Sequence, residues 1–239
     1  TASGGNHGIA VAYAAHASKC DAVIYLPENA PSDKAERSRA WGAEVVVAGA
    51  GWDEAQAQAL EHAKRHGLSY IHPFADRAVI AGQGTIAREM LKQSPEIDVI
   101  VAGIGGGGLI SGIALAAKAI KPEIRVIGVE PVGAPTLKSS IAAGALVTLD
   151  AIDTRANTLA PRRSETINLE IIRKYVDEIV LVSDEQMRRA TQWLWFEMGQ
   201  AVELAGGSAV AAIQAGKVQA PEDKTVAAVV CGNGAAGLS

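Results

Sequence analysis

Cysteine is almost missing from the 239 residues: Cys20 and Cys231 are the only two. Two thiols cannot brace a disulfide framework, so a buried apolar core must hold the fold, and a reducing, cytoplasmic setting is expected. Aromatic residues are scarce as well, at 4% against 49% hydrophobic residues in all. The apolar mass is therefore Ala, Val, Ile and Leu, which pack helices on sheets and offer no platform for stacked bases. A surplus of positive charge is also absent, because 22 Lys and Arg face 26 Asp and Glu for a net charge of −4. Nothing neutralises the phosphates of a nucleic acid or an anionic membrane, and both partner classes are excluded. A small molecule is the expected partner.

An unbroken membrane span is lacking too. Residues 99–117 carry no charge, but Gly105, Gly106, Gly107 and Gly108 stand at their centre, where a lipid-exposed helix would be weakened. Strand, loop and helix are expected there instead. The chain opens Thr1-Ala2-Ser3 with neither an initiator Met nor a basic leader, so an N-terminal part is expected to be missing.

What is present is an alternation of helical and strand patterns. Helices are expected over 9–17, 32–41 and 53–66, the last capped by Asp53 and ended by Gly67. Strands fit 22–26 and 44–48, with a short one leading into His72-Pro73. A second series follows, with helices at 82–92, to 120, 135–143, 167–175, 184–198 and 205–216. Its strands are 98–102, 125–130, 178–182 and 225–230. The alternation implies an α/β protein with parallel sheets flanked by helices, divided near 75–82 into a small domain, 1–77, and a large one, 78–239. Residues 149–165 show no period, and long irregular loops in compact domains are often functional.

Gly103-Ile104-Gly105-Gly106-Gly107-Gly108 follows an apolar strand and opens a helix, so its N–H groups can converge on an anion with the helix dipole behind them. The run also satisfies G-x-G-x-x-G, and Glu130 ends the next strand about 20 residues on, where a ribose-binding acid would stand. An NAD-dependent oxidoreductase is thus one reading of the loop.

The chain's opening motif, Ser3-Gly4-Gly5-Asn6-His7-Gly8, separates the phosphate readings. It resembles the asparagine loop of the pyridoxal-phosphate enzymes of the tryptophan synthase fold, fold type II, within the serine/threonine dehydratase and serine racemase group. His72-Pro73-Phe74 with Ala81-Gly82-Gln83-Gly84-Thr85, the tetraglycine with Leu109-Ile110-Ser111-Gly112, and Gly128-Val129-Glu130-Pro131 resemble the same group in the same order. The match covers nearly the whole chain.

The resemblance implies a homo-oligomeric, pyridoxal 5′-phosphate-dependent ammonia-lyase that converts a β-hydroxy amino acid into a 2-oxo acid and ammonia. It implies that Asn6 bonds the cofactor's 3′-oxygen, that Gly105, Gly106, Gly107, Gly108 and Leu109 hold its phosphate, and that Glu203 lies near its edge. Cys231 would face the pyridine nitrogen, and a thiol is too weak a donor to keep that nitrogen protonated. Ser3, Gly4, Gly5, Asn6 and His7 would bind the substrate carboxylate. Racemases of the group resemble Ser-Ser-Gly-Asn here, whereas this chain has Gly4, so elimination rather than racemisation is expected.

The chain departs from the group in three places. The Schiff-base lysine belongs to a Ser-Phe-Lys-x-Arg-Gly-like segment, and no lysine here has that context; it is expected upstream of Thr1. Lacking it, a non-catalytic remnant is an alternative. At the group's divalent-cation site, Glu130 and the carbonyl of Ala134 match, but Thr136 stands where an Asp ligand is common. Lastly, Asn157-Thr158-Leu159-Ala160-Pro161-Arg162-Arg163 replaces a Thr-Ile-Ala-Asp-Gly-like segment. If Arg162 or Arg163 faced the site, the substrate would be acidic, such as 3-hydroxyaspartate or a hydroxyectoine-derived compound. Trp193, Trp195 and Phe196 are expected to fill the core or an oligomer contact.

Overall fold

The computed structural model describes residues 1–234 and 237. Two units, Thr1–Asp76 and Arg77–Ser239, divide the chain.

In the first unit, α1 (Asn6–Ser18), β1 (Val23–Leu26), α2 (Ser32–Ala40), β2 (Glu44–Val47) and α3 (Trp52–His66) follow one another. β1 and β2 pair in parallel, from Val23 opposite Glu44 to Leu26 opposite Val47. Side chains of a strand alternate between faces, and β1 shows this directly. Ile24 and Leu26 pack with Ala12, Ala35 and Ala43, while Tyr25 packs with Ala2, Ala55 and Ala59. Gly67, at φ +65°, stops α3. Asp53 is not the cap of this helix: the chain enters through extended Gly51, and Trp52 is the first helical residue. The short strand before His72 does not form. Instead His72 Nδ1 accepts the N–H groups of Phe74 and Ala75, which folds the segment into a turn.

The second unit carries α4 (Arg77–Gln93), β3 (Ile97–Gly103), α5 (Gly108–Ile120), β4 (Arg125–Pro131) and α6 (Thr136–Ala143). Then come α7 (Thr166–Tyr175), β5 (Glu178–Val182), α8 (Asp184–Met198), α9 (Ser208–Gln214) and β6 (Thr225–Ala228). The strands form one parallel sheet in the order β5-β4-β3-β6. Val99 and Val101 face the side covered by α8 and α9, while Ile100 and Ala102 face the side covered by α4 and α5. Burial on both faces explains why β3 is an unbroken apolar run.

α4 starts at Arg77, five positions before the expected Gly82. Glycine does not break the helix here because it is needed where α4 crosses α5. A methyl on Gly84 would sit 3.1 Å from the Gly112 carbonyl oxygen, and one on Gly112 would collide with the Ile80 carbonyl oxygen. The expected helix over 205–216 divides into a 3-10 turn, Leu204–Gly207, and α9. Ser183 and Gln186 form a capping box at the start of α8. At that helix's far end Trp195 and Phe196 are exposed, Phe196 at 78%, so they do not fill the core. No helix among the described residues is long and apolar enough to cross a membrane.

Candidate functional site

In the second unit the candidate site is the loop between β3 and α5, which glycine alone can follow. A methyl on Gly103 would meet Ser208 Oγ at 2.7 Å, and one on Gly105 would meet the Thr158 carbonyl oxygen at 2.6 Å. Gly107 has φ +96°, and a methyl there would meet Leu137 and Ile172 at 3.0 Å. Ser164 Oγ donates to the Gly106 carbonyl oxygen at 2.8 Å and ties the loop from behind. The opening N–H groups of a helix have no partner within it. At α5 no side chain caps them, and no protein acceptor among the described residues meets those of Gly108 and Leu109. Bare convergent donors at the positive end of a 13-residue helix suit an anion such as a phosphate.

Glu203 and Cys231 come together beside this loop. The Glu203 N–H donates to the Gly232 carbonyl oxygen at 2.8 Å, and Glu203 Oε1 accepts Thr158 Oγ1 at 2.9 Å. Gly232 has φ +59°, and a methyl there would meet Glu203 Oε1. The Cys231 side chain keeps contact with solvent, yet the protein packed around it, and then the Glu203 carboxylate, push its thiol above the ordinary range. It is therefore protonated at neutral pH. Through Thr158 the tetraglycine loop, Glu203 and Cys231 form one connected group. Sequence reasoning gave Thr158 and Ser164 no role, although both lie in the long aperiodic segment and Thr158 falls within the stretch that replaces the Thr-Ile-Ala-Asp-Gly-like one.

The first unit places Ser3, Gly4 and Gly5 immediately before α1. Ser3 Oγ accepts the Gly5 N–H at 3.2 Å, Gly5 is extended, and Asn6 opens the helix. Gly8 lets α1 approach β1, since a methyl there would reach Ile24 Cγ2 at 3.0 Å. Burial drives the pKa of His7 down to about 4, so it is neutral at pH 7, with Nε2 3.2 Å from Thr1 Oγ1. Asn6 Oδ1 accepts Lys34 Nζ at 3.0 Å, and Lys34 is only 7% exposed. Lys34 was not expected here. Its sign in the sequence is its place on the face of α2 that also buries Ala35 and Ser38.

Glu130 has another employment than the two expected of it. It is fully buried at the end of β4, and its oxygens accept the N–H groups of Leu137 at 2.8 Å and Lys138 at 2.9 Å. It caps α6. Burial pushes its pKa up to about 7 despite the two N–H groups and Lys138. A carboxylate turned inward cannot hold a ribose, so the NAD reading loses its acid. Nor does the donor set suit a divalent cation. Thr136 Oγ1 donates to the Pro161 carbonyl oxygen, and no group of three or more His, Cys, Asp and Glu among the described residues could hold a metal.

The arginines are also directed elsewhere. Arg162 Nε donates to the Leu149 carbonyl oxygen and Arg163 Nη1 to Thr148 Oγ1, each at 3.0 Å, and both side chains are exposed. They fasten the loop to residues 148–149, and an acidic substrate loses its support.

Residues 1–232 match the family described as pyridoxal-phosphate dependent enzyme. The chain is 39% identical over 233 residues to the L-threonine ammonia-lyase of Geobacter sulfurreducens, covering 98% of this chain and 58% of that protein. It is 38% identical to the L-threonine ammonia-lyase of Thermotoga maritima, covering 89% and 53%. Among solved structures, maize serine racemase superposes with a TM-score of 0.92 at 35% identity, over 97% of this chain and 71% of that one. The chain thus spans little more than half the length of the curated relatives it matches.

Proposed function

Because this chain belongs to the pyridoxal-phosphate dependent enzymes, we propose that the whole protein is a β-eliminating ammonia-lyase that turns threonine, serine or a close β-hydroxy relative into a 2-oxo acid and ammonia. Relatives bearing the name L-threonine ammonia-lyase support it. Within the chain, the observation that carries it is Gly4. The position beside the substrate-binding backbone has no side chain that could return a proton to the opposite face, which is what racemisation would need.

The residues present fit the cofactor, whose bound ring takes up the electrons released when the Cα–H bond breaks. The N–H groups from Gly105 through Leu109 hold its phosphate. Asn6 donates to its 3′-oxygen, and Glu203, steadied by Thr158, lines its edge. Cys231 presents a protonated thiol to the pyridine nitrogen, a donor too weak to charge it. Ser3, Gly4, Gly5, Asn6 and His7 offer backbone N–H groups to the substrate carboxylate at the start of α1. Neutral His7 adds no competing charge.

A homo-oligomer is part of this reading, supported by the exposed run of Trp195, Phe196 and Met198. A reducing, cytoplasmic setting agrees with two free cysteines. The deciding experiment supplies the full-length protein with pyridoxal phosphate and L-threonine or L-serine and follows 2-oxo acid beside the chirality of the remaining substrate. Oxo acid should form much faster than D-isomer. Faster D-isomer makes it a racemase, and neither product returns the non-catalytic reading.

A further inference from the structure

The glycines after β3 explain how closely the chain can bend there, but not which way its peptide groups face. Glycine takes positive and negative φ about equally readily, so the peptide joining Gly106 to Gly107 can turn over with little steric hindrance. Turning it over would carry Gly107 from φ +96° to negative φ. Its direction must be set from outside the loop.

Ser164 stands at that peptide. It is wholly buried, and its Oγ lies 2.8 Å from the Gly106 carbonyl oxygen. A carbonyl oxygen only accepts, so the hydroxyl donates and holds the carbonyl toward the interior. In a planar trans peptide the C=O of one residue and the N–H of the next point in opposite directions. The Gly107 N–H is therefore turned away from Ser164, and no protein acceptor among the described residues meets it. Ser164 is itself held in place, because Glu165 beside it opens α7 and its carbonyl oxygen accepts the Asn168 and Leu169 N–H groups, each at 3.0 Å. Leu169 and Ile172 of α7 are buried in one cluster with Ile110 and Ile113 of α5. The hydroxyl and the loop thus share a rigid support.

We infer that Ser164 is a positioning residue: by holding the Gly106 carbonyl inward it aims the Gly107 N–H outward, beside those of Gly108 and Leu109, at the bound anion. This rests on the proposal that the loop holds the phosphate of pyridoxal phosphate. Without the hydroxyl the inward carbonyl is left unsatisfied, which favours turning the peptide over. The phosphate would then meet a carbonyl oxygen where it had met a donor.

The test compares pyridoxal phosphate with pyridoxal, which has the same ring and aldehyde but no phosphate. Dissociation constants of both are measured by visible absorption in the full-length protein freed of bound cofactor. Wild type should bind pyridoxal phosphate much the more tightly. Ser164→Ala should weaken pyridoxal phosphate by about tenfold, the span of one hydrogen bond to a charged group, and leave pyridoxal within about twofold of wild type. Equal weakening of both ligands would make Ser164 merely structural, and no change in either would give it no role; each result overturns the inference. If wild type binds the two ligands alike, the assignment of the loop to the phosphate fails first, and the role of Ser164 with it. Should Ser164→Ala not fold, Ser164→Cys takes its place, since a thiol fills the site but donates only weakly. In that variant the preference for pyridoxal phosphate should shrink by at least about threefold, and an unchanged preference overturns the inference.

Discussion

β3 and β4 lie side by side in the same sheet and each leads into a helix, yet the two junctions end in opposite ways. After β4 the chain supplies its own acceptor: the buried carboxyl group of Glu130 closes the first turn of α6. After β3 it supplies none, and glycines that clash or strain with any side chain leave the first turn of α5 open. One junction is satisfied from within and belongs to the fold. The other is kept unsatisfied for something that arrives from outside. The start of α1 adds a contrast in the use of glycine. A methyl on Gly4 would stand 3.3 Å from Ala30 Cβ and Pro27 Cγ, and the residue lies outside the left-handed region. Folding nearly tolerates a side chain there, so its absence concerns what occurs at the loop.

The sharpest way to break this comparison is Gly105→Ala. Its new methyl meets a backbone oxygen that cannot swing aside, so the loop must move. Overpacking of this kind costs about 1–3 kcal/mol, and the phosphate donors should lose alignment. Cofactor affinity, measured by titration, should fall by on the order of a hundredfold, well beyond what the stability loss alone would give.

The closed junction should instead show itself in pH. Glu130 is raised from 4.5 to about 7 on folding, so the folded state binds the extra proton between those values. The stabilisation of the protonated form is full below pH 4.5 and is lost as pH rises through 7, to a total of no more than about 3 kcal/mol. Thermal melts from pH 5 to 8 should show the loss, and Glu130→Gln should flatten the slope. An unchanged slope would mean that the carboxylate titrates normally.

A smaller effect is expected at Thr158→Val, which removes one hydrogen bond to Glu203 while keeping the shape. Turnover should fall by about fivefold, with the folded protein nearly as stable. The smallest is the stability change of Gly4→Ser, within about 1 kcal/mol by denaturant titration, because only side-chain atoms must yield. In the same variant the ratio of D-isomer to oxo acid should rise. A large destabilisation would place Gly4 with the glycines of the tetraglycine loop.

Much of this was legible in the sequence because its signals are local. The buried run at 99–102, the glycine stop after α3 and the glycine opening of α5 each act within a turn or two of the chain. What escaped depended on distant partners. Gly82 reads as a helix boundary, but an exposed helical glycine costs only about 1 kcal/mol, and the crossing at Gly84 and Gly112 rewards a helix that continues. Glu130 fits a ribose acid and a helix cap equally well by spacing. Only the turn over 132–135, which brings α6 back to the end of its own strand, decides between them. Thr158 and Lys34 carry no motif, because each has meaning only beside a residue tens of positions away.

The raised thiol of Cys231 has a practical side. Thiols react as thiolates, so a neutral alkylating reagent should pass over Cys231 and modify Cys20, which is exposed just beyond α1. The chain then carries one quick handle in its first unit and one slow one beside Glu203. The slow one would act as a gauge: its labelling rate should fall further when the cofactor ring shields it, reporting occupancy without any substrate being turned over.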